Sequence, residues 1–332
     1  MDKAIRWAAR TSPIKHLSNY LLSRYRKNVT PEWRWVDGSI GGKTFRLKVN
    51  TEEVHGYLFY MCGVLEPELT YLIKRLLPSR HFFLDIGANV GYYTVLAAMI
   101  NPECRIHSFE PSPSTFGVLS ENVAANHLLN VQVHQLALGD KTGTLKFNIY
   151  ADQAFNSPGA GTNDKHHFFK NGPLRVIDVP SVRLDEFLAE HHLPQPDIVK
   201  LDVEGFELFV LKGANKLLAS DNPPVLLCEV APLWLKRFGL APSDLFQYVE
   251  KFGYQTLGLT PYGLVRKELF ERYSPIEDIV FVQKSGLAEI MKINSDYYSG
   301  WRKAKGEIKK ILRPLWRRFK KCRTKENQRE EE

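Results

Sequence analysis

A chain of 332 residues with 44% hydrophobic and 25% charged side chains has the composition of an ordinary globular protein, which excludes a fibrous or intrinsically disordered one. Four scattered cysteines (Cys62, Cys104, Cys228, Cys322), none in a CxxC pair, exclude a disulfide framework and a zinc ribbon. The net charge of +8 is segregated: residues 1–50 hold 11 basic and 3 acidic side chains, residues 51–300 hold 21 and 29, and residues 301–332 hold 13 and 5. An acidic body between basic ends argues against a nucleic-acid enzyme, whose cations surround its active site.

In chain order, Ser12-Pro13 reads as an N-cap and first helical position, followed by Ile14, Leu17 and Leu21 at helical spacing. Residues 34–60 read as short strands and turns around Gly41-Gly42. A helix over 67–77 precedes a long alternation of elements. The predicted strands are Phe82–Ile86, Arg105–Glu110, Val131–Ala137, Ile198–Asp202, Val225–Val230, Tyr254–Leu259 and Asp278–Gln283. Between them fall predicted helices Tyr92–Ile100, Ser114–Asn126, Leu184–His191, Glu207–Leu218 and Ser243–Phe252. This is the pattern of a parallel sheet with crossover helices on both faces. Two further strand-like runs, Gly143–Tyr150 and Leu174–Val182, flank a polar segment, Ala151–Pro173, whose length predicts a functional loop.

Two stretches test the expectation of a protein without a membrane span. His81–Asn101 is apolar, but Asp85, Gly87 and Gly91 break it into strand, turn and buried helix. No apolar run follows the basic N-terminus, so no signal peptide is expected.

The chemistry concentrates at the predicted strand ends. After Phe82–Ile86 comes Gly87-Ala88-Asn89-Val90-Gly91, where the glycines permit positive φ and close ligand approach, and the following helix offers free amides. The spacing lacks the third glycine of a dinucleotide fingerprint. Glu110 ends the next strand, 25 residues after Asp85. A carboxylate there accepts hydrogen bonds from both ribose hydroxyls of an adenosine lying across the strand tips. Ala137-Leu138-Gly139-Asp140 offers an apolar wall (Leu138) and a polar contact (Asp140) for the base, or simply a turn.

Asp202 and Glu204, in Asp202-Val203-Glu204-Gly205-Phe206-Glu207, fall on one side of an extended strand tip by alternation. From there one of them would orient or deprotonate an acceptor hydroxyl, while the other positions cofactor or substrate; an N-cap for the next helix is the competing reading. Glu207 reads as helix surface. Glu229 either faces the pocket or caps a turn. His107 and His134 lie in strands and read as packed, His166-His167 as loop, and Asn222-Pro223-Pro224 as a turn. No set of side chains makes a metal site.

As an ordered set, Leu84–Gly91 (LDIGANVG), Phe109–Ser112, Ala137–Asp140 and Val199–Glu207 (VKLDVEGFE) resemble class I S-adenosylmethionine-dependent methyltransferases of the FkbM type. Gly63–Pro67 (GVLEP) is similar to the segment preceding the glycine turn in that family, which adds Glu66 to the cofactor residues Asp85, Gly87, Asn89, Gly91, Glu110, Leu138 and Asp140. The resemblance covers about residues 55–285. It implies a Rossmann-like α/β fold with a seven-stranded, mostly parallel sheet, its last strand antiparallel. It also implies transfer of a methyl group from S-adenosylmethionine to a hydroxyl of a small molecule, sugar or glycan.

The domain reading is therefore a basic N-terminal arm with lead-in strands over 1–50, a methyltransferase domain over 51–285, and a basic amphipathic arm over 286–332. In the last segment Ile308, Ile311, Leu312, Leu315, Trp316, Phe319 and Cys322 recur at helical spacing among Lys and Arg, with Pro314 interrupting. Such a stripe suits an anionic membrane surface, or docking on the acidic body or on another subunit. The expected location is cytoplasmic, with the inner membrane face as the place of attachment where the stripe meets a membrane and not the body or a partner. Two other functions fit less well: an RNA or protein methyltransferase gripping its substrate with the arms, and a binding protein that keeps the fold without catalysis.

Overall fold

The computed structural model describes residues 29–150, 156–158, 175–260, 263–266 and 277–296. The basic ends, including the predicted helix from Ser12 and the stripe from Ile308, lie outside these residues, as do His166 and His167.

The first described elements pack into the same core as the central strands. Strands β1 (Trp33–Ile40) and β2 (Lys43–Asn50) pair antiparallel across Gly41-Gly42, and alternation turns Phe45, Leu47 and Val49 inward. The reading of residues 34–60 as strands and turns fails beyond Asn50, because Val54–Cys62 is a helix, α1, closed by the left-handed Gly63. Its buried residues Gly56, Tyr57, Phe59, Tyr60 and Met61 lie on more than one side, so the sequence carries no amphipathic period there. Helix α2 (Pro67–Leu76) is amphipathic, with Leu69, Leu72, Ile73 and Leu76 buried at helical spacing.

The alternating core follows: β3 (Phe82–Ile86), α3 (Tyr92–Ile100), β4 (Arg105–Phe109), α4 (Pro113–Ala125) and β5 (Val131–His134). The chain then leaves the main sheet through β6 (Ala137–Leu138), β7 (Gly143–Ile149), β8 (Ser157–Pro158) and β9 (Arg175–Val182). It returns through α5 (Leu184–Glu190), β10 (Ile198–Leu201), α6 (Glu207–Lys212), α7 (Asn215–Leu218), β11 (Val225–Val230), α8 (Pro232–Lys236) and α9 (Pro242–Glu250). Strands β12 (Tyr254–Thr260), β13 (Gly263–Arg266) and β14 (Glu277–Gln283) close the sheet, and residues 284–296 are helical.

The sheet order is β13-β12-β14-β11-β10-β3-β4-β5, with β14 antiparallel to both its neighbours. It is a Rossmann-like, mostly parallel sheet with helices on both faces. Its described strands number eight rather than the expected seven, because β13 folds back on β12 as an extra edge hairpin. The predicted strand Val131–Ala137 divides: β5 stays in the main sheet, while β6 pairs with β9 in a second sheet ordered β6-β9-β7-β8. The predicted helix Glu207–Leu218 also divides, at Gly213-Ala214.

Successive residues of the central strands feed opposite cores. Phe83, Ile198, Leu227 and Val280 pack under α2, α3 and the β1–β2 hairpin, while Phe82, Leu84, Val199 and Phe281 pack under α5, α6 and α9. Burial on both faces explains why these strands read as continuous apolar runs. Ile290 and Ile293, from the helix 284–296, join the first core.

Two asparagines fasten the hairpin to the body. Asn122 of α4 accepts from the Lys48 amide (2.6 Å) and donates to the carbonyls of Lys48 (3.2 Å) and Val90 (2.7 Å). Asn126, one helical turn on, repeats the pairing with the amide and carbonyl of Arg46. Together they stand in for a neighbouring strand at the edge of β2, and Asn122 links that edge to the turn after β3. Asn122 is fully buried, so Asn122→Ala should cost about 2–4 kcal/mol through stranded backbone groups. Urea unfolding should show a lower midpoint at unchanged slope.

Candidate functional site

The site begins where β3 runs into the glycine turn. Gly87, Asn89 and Gly91 all have positive φ (77°, 51° and 90°), and the amides of Gly87 and Ala88 donate to the Phe109 carbonyl at 3.0 and 2.9 Å. A Cβ on Gly87 would lie 1.7 Å from the Asp202 carbonyl oxygen, so the turn rests directly on the chain leaving β10. The amide of Asn89 donates to one oxygen of Glu110 (3.1 Å) and the amide of Ser112 to the other (2.9 Å). Glu110 is thereby aimed from the tip of β4 into a cavity of about 630 Å³, walled by Ile86, Phe109, Leu136, Leu138 and Phe206. Burial pushes its carboxyl up to about 7, against those two amides.

A second cavity, of about 590 Å³, meets the first at His55, Asn89 and Asp202. Glu66, Tyr92, Tyr93 and Lys200 line it. Glu66 has left-handed backbone (φ 34°) immediately before Pro67, and its carboxylate accepts from the Tyr93 hydroxyl. Such a conformation is uncommon for a residue with a side chain.

The predicted residues do not all reach the crevice. Glu66, Gly87, Asn89, Glu110, Leu138, Asp202 and Glu204 line one or both cavities; Asp85, Gly91 and Asp140 line neither. Asp85 is fully buried, accepts from Thr94 Oγ1 at 2.7 Å and places Oδ1 3.8 Å from Lys200 Nζ. Gly91 is the N-cap of α3, against Leu119. Asp140 offers its backbone carbonyl to Arg183.

Beyond β10 the structure departs from the alternation argument. The strand ends at Leu201, and Glu204 and Gly205 both take positive φ (55° and 93°). Asp202 and Glu204 are brought together by a tight turn, which Gly205 makes feasible because a Cβ there would lie 2.6 Å from the Trp234 backbone. Glu207 is not helix surface. It is 2% exposed, and its Oε1 accepts from the amides of Val203 (3.2 Å) and Gly205 (3.0 Å), clasping that turn from inside. Its carboxyl is pushed up to about 7 by burial.

Three carboxylates converge here. Oxygen atoms of Asp202, Glu204 and Glu229 all lie within 4.8 Å of one another, a grouping that could hold a cation and that the sequence did not reveal. Lys200 already brings an ammonium to its edge, 2.9 Å from Asp202 Oδ2 and 3.4 Å from the Gly87 carbonyl. Burial would raise Asp202, but Lys200 and hydrogen bonds from Glu229 and Lys200 bring it below the ordinary carboxylate range.

Sequence reasoning missed Lys200, His55 and the role of Glu207. Lys200 did leave a signal, a lone cation inside the apolar run Ile198–Leu201. His55 left none, since it lies in the segment misread as strands and turns. His107 and His134 are packed: their rings stack, Nε2 of His134 lies 3.0 Å from Nδ1 of His107, and burial lowers both to about 4.

A family profile described as the methyltransferase FkbM domain matches residues 85–256. Methyltransferase 1 of Beauveria bassiana is 31% identical over 167 residues, covering 46% of this chain and 66% of that protein. Hexuronic acid methyltransferase AglP of Haloferax volcanii is 31% identical over 140 residues, covering 42% and 52%. The 31-O-demethyl-FK506 methyltransferase FkbM of Streptomyces tacrolimicus is 29% identical over 152 residues, covering 40% and 58%. The matches thus span between about half and two thirds of these relatives' lengths.

The Glu207 clasp has a measurable pH signature. Its carboxyl is held above the unfolded value of 4.5, so the native state binds the extra proton and stability is lost as pH rises from about 4.5 to about 7. Glu207→Gln keeps an acceptor for both amides and removes the titration. Across that window, wild-type stability should fall relative to the variant by about 3 kcal/mol, read from urea midpoints at each pH. A constant difference would show that Glu207 does not titrate there.

Proposed function

The chain belongs to the FkbM methyltransferase family, and from that premise we propose that it methylates a hydroxyl oxygen of a sugar, glycan or related metabolite, using S-adenosylmethionine. The observation that carries the reading is the Glu110 carboxylate, fixed by two backbone amides at the mouth of an apolar cavity beside the glycine turn. Adenosine suits that donor set: its ribose hydroxyls can donate to the free lone pairs of Glu110, and its base can lie against Leu138 and Phe109. The second cavity suits an amino-acid end, with Glu66 available to an ammonium.

When bound, S-adenosylmethionine supplies an activated methyl group: the oxygen–carbon bond forms, the carbon–sulfur bond breaks with its electron pair left on sulfur, and the hydroxyl proton is released. What the chain must supply is alignment and a place for that proton. Asp202 stands where the two cavities meet, ionised beside Lys200, and Glu204 lines the cavity next to it. We assign acceptor positioning to Asp202 and Glu204, with Gly87 and Asn89 shaping the cofactor turn. Asp85 contributes through Lys200. The named substrates of two relatives, a hexuronic acid and a demethylated FK506 oxygen, support an oxygen acceptor on a small molecule.

The basic ends support a further part of the reading, attachment to an anionic membrane surface on the cytoplasmic side. Among the described residues no helix is long and apolar enough to cross a membrane. The 332-residue chain should sediment with anionic vesicles while a form ending at Ser299 stays in solution; equal partition would end this part.

Calorimetry tests the cofactor. Wild-type protein should bind S-adenosylmethionine and S-adenosylhomocysteine, and Glu110→Gln should weaken both by about 10- to 100-fold, the loss of a charge-assisted hydrogen bond. Transfer of a labelled methyl group to a hydroxyl acceptor from a carbohydrate extract should disappear in Asp202→Asn. No heat from either compound would end the methyltransferase reading.

A further inference from the structure

The crevice holds more acid than its ammonium can balance. Lys200, 4% exposed, sits 2.9 Å from Asp202 and 3.8 Å from Asp85. Beside that trio, Glu204 and Glu229 approach Asp202 within the 4.8 Å grouping. Asp85 Oδ1, fully buried, has no hydrogen-bond partner, and neither does the buried Glu204 Oε2. From the surrounding elements the carboxyl groups of Glu66, Asp278 and Glu207 also face the cluster, Asp278 and Glu207 held by burial above the ordinary carboxylate range, and among the described residues His55 and Arg237 face it as further basic side chains. Arg237 is engaged elsewhere, donating to Ser157 Oγ (2.9 Å) and Tyr150 Oη (3.2 Å).

We propose that Glu204 and Glu229, flanking Asp202, form a proton store that yields a proton when a sulfonium enters the crevice and takes one back when the sulfonium becomes a neutral thioether. The proposal rests on the methyltransferase reading and deepens it. The geometry makes the exchange cheap: a half-buried cluster of carboxyl groups within 4.8 Å of one another tolerates an added cation or an added proton, but not the loss of both. Before reaction the sulfonium supplies the positive charge. As the acceptor oxygen takes the methyl carbon, its proton passes to Glu204 Oε2 or Glu229, so the crevice keeps the same total charge. Asp202, paired with Lys200, remains the ionised member through which the proton arrives. The direction of titration agrees: burial, and then the Asp202 charge, hold both Glu204 and Glu229 well above the ordinary carboxylate range.

The test counts protons. The full chain is titrated near neutral pH with S-adenosylmethionine and with S-adenosylhomocysteine, each in buffers of different ionisation enthalpy. Binding of the sulfonium should release more protons than binding of the thioether, by up to about one per site, so the affinity ratio should rise by up to about tenfold per pH unit. An analogue bearing an amine in place of the sulfonium should follow the sulfonium. The double variant Glu204→Gln, Glu229→Gln should lose the difference; should it fail to fold, the wild-type comparison decides alone. Equal proton counts for the two compounds would overturn the store while leaving the cofactor assignment standing. Absence of heat from both would overturn the two together.

Discussion

The buried ammonium of Lys200 is the contact on which the site depends. Taking such a charge out of water costs several kcal/mol unless it is paired and hydrogen-bonded. Lys200 meets that cost with Asp202, the Gly87 carbonyl and Asp85. These partners belong to β3, to the turn after it and to the chain leaving β10. Pairing the charge therefore fixes the distance between the glycine turn and Asp202. Removing Asp202 would take from the ammonium the carboxylate that it bonds at 2.9 Å, and moving the glycine turn would take the Gly87 carbonyl, so the arrangement is held collectively.

Around that centre the backbone adopts conformations that side chains normally avoid. Glu66, Asn89 and Glu204 all have positive φ, and all three line the crevice. Each costs of order 1–3 kcal/mol and persists only where neighbours determine it. The neighbours are visible: Pro67 and Tyr93 at Glu66, the Glu110 carboxylate at the Asn89 amide, and the Glu207 clasp with Trp234 at the Glu204-Gly205 turn. The strain is local and sits along the walls of the two cavities.

What the sequence disclosed, and what it hid, follows from the range of the forces involved. Phe82–Ile86 and Tyr92–Ile100 agree with the structure to the residue because an apolar run, a glycine turn and a buried helix are local facts. Glu110 could be placed for the same reason. The division of Val131–Ala137 could not, because β6 is drawn away by β9, some 40 residues later. Helix α1 escaped notice since burial on several sides erases amphipathic periodicity. Glu207 was misjudged because a carboxylate at the first turn of a helix usually faces water, and only the amides of a strained turn pull this one inward. Alternation brought Asp202 and Glu204 together on paper for a reason the backbone does not use.

The same carboxylates revise the meaning of the charge count. A formal tally treats each of the 29 acidic residues of the middle segment as ionised and arrives at −8. Glu204, Glu229 and Asp278 are held well above their ordinary values, and Glu110 and Glu207 up to about 7, in each case chiefly by burial. Protons retained on these groups make the folded middle less acidic than its sequence. Part of the contrast between body and basic ends therefore belongs to the interior of the crevice and not to the outer surface. On the proton-store proposal, a site that keeps protons on half-buried acids prefers a cationic guest over a neutral one. That preference is what a donor must meet on entry and what its spent, uncharged form must lose.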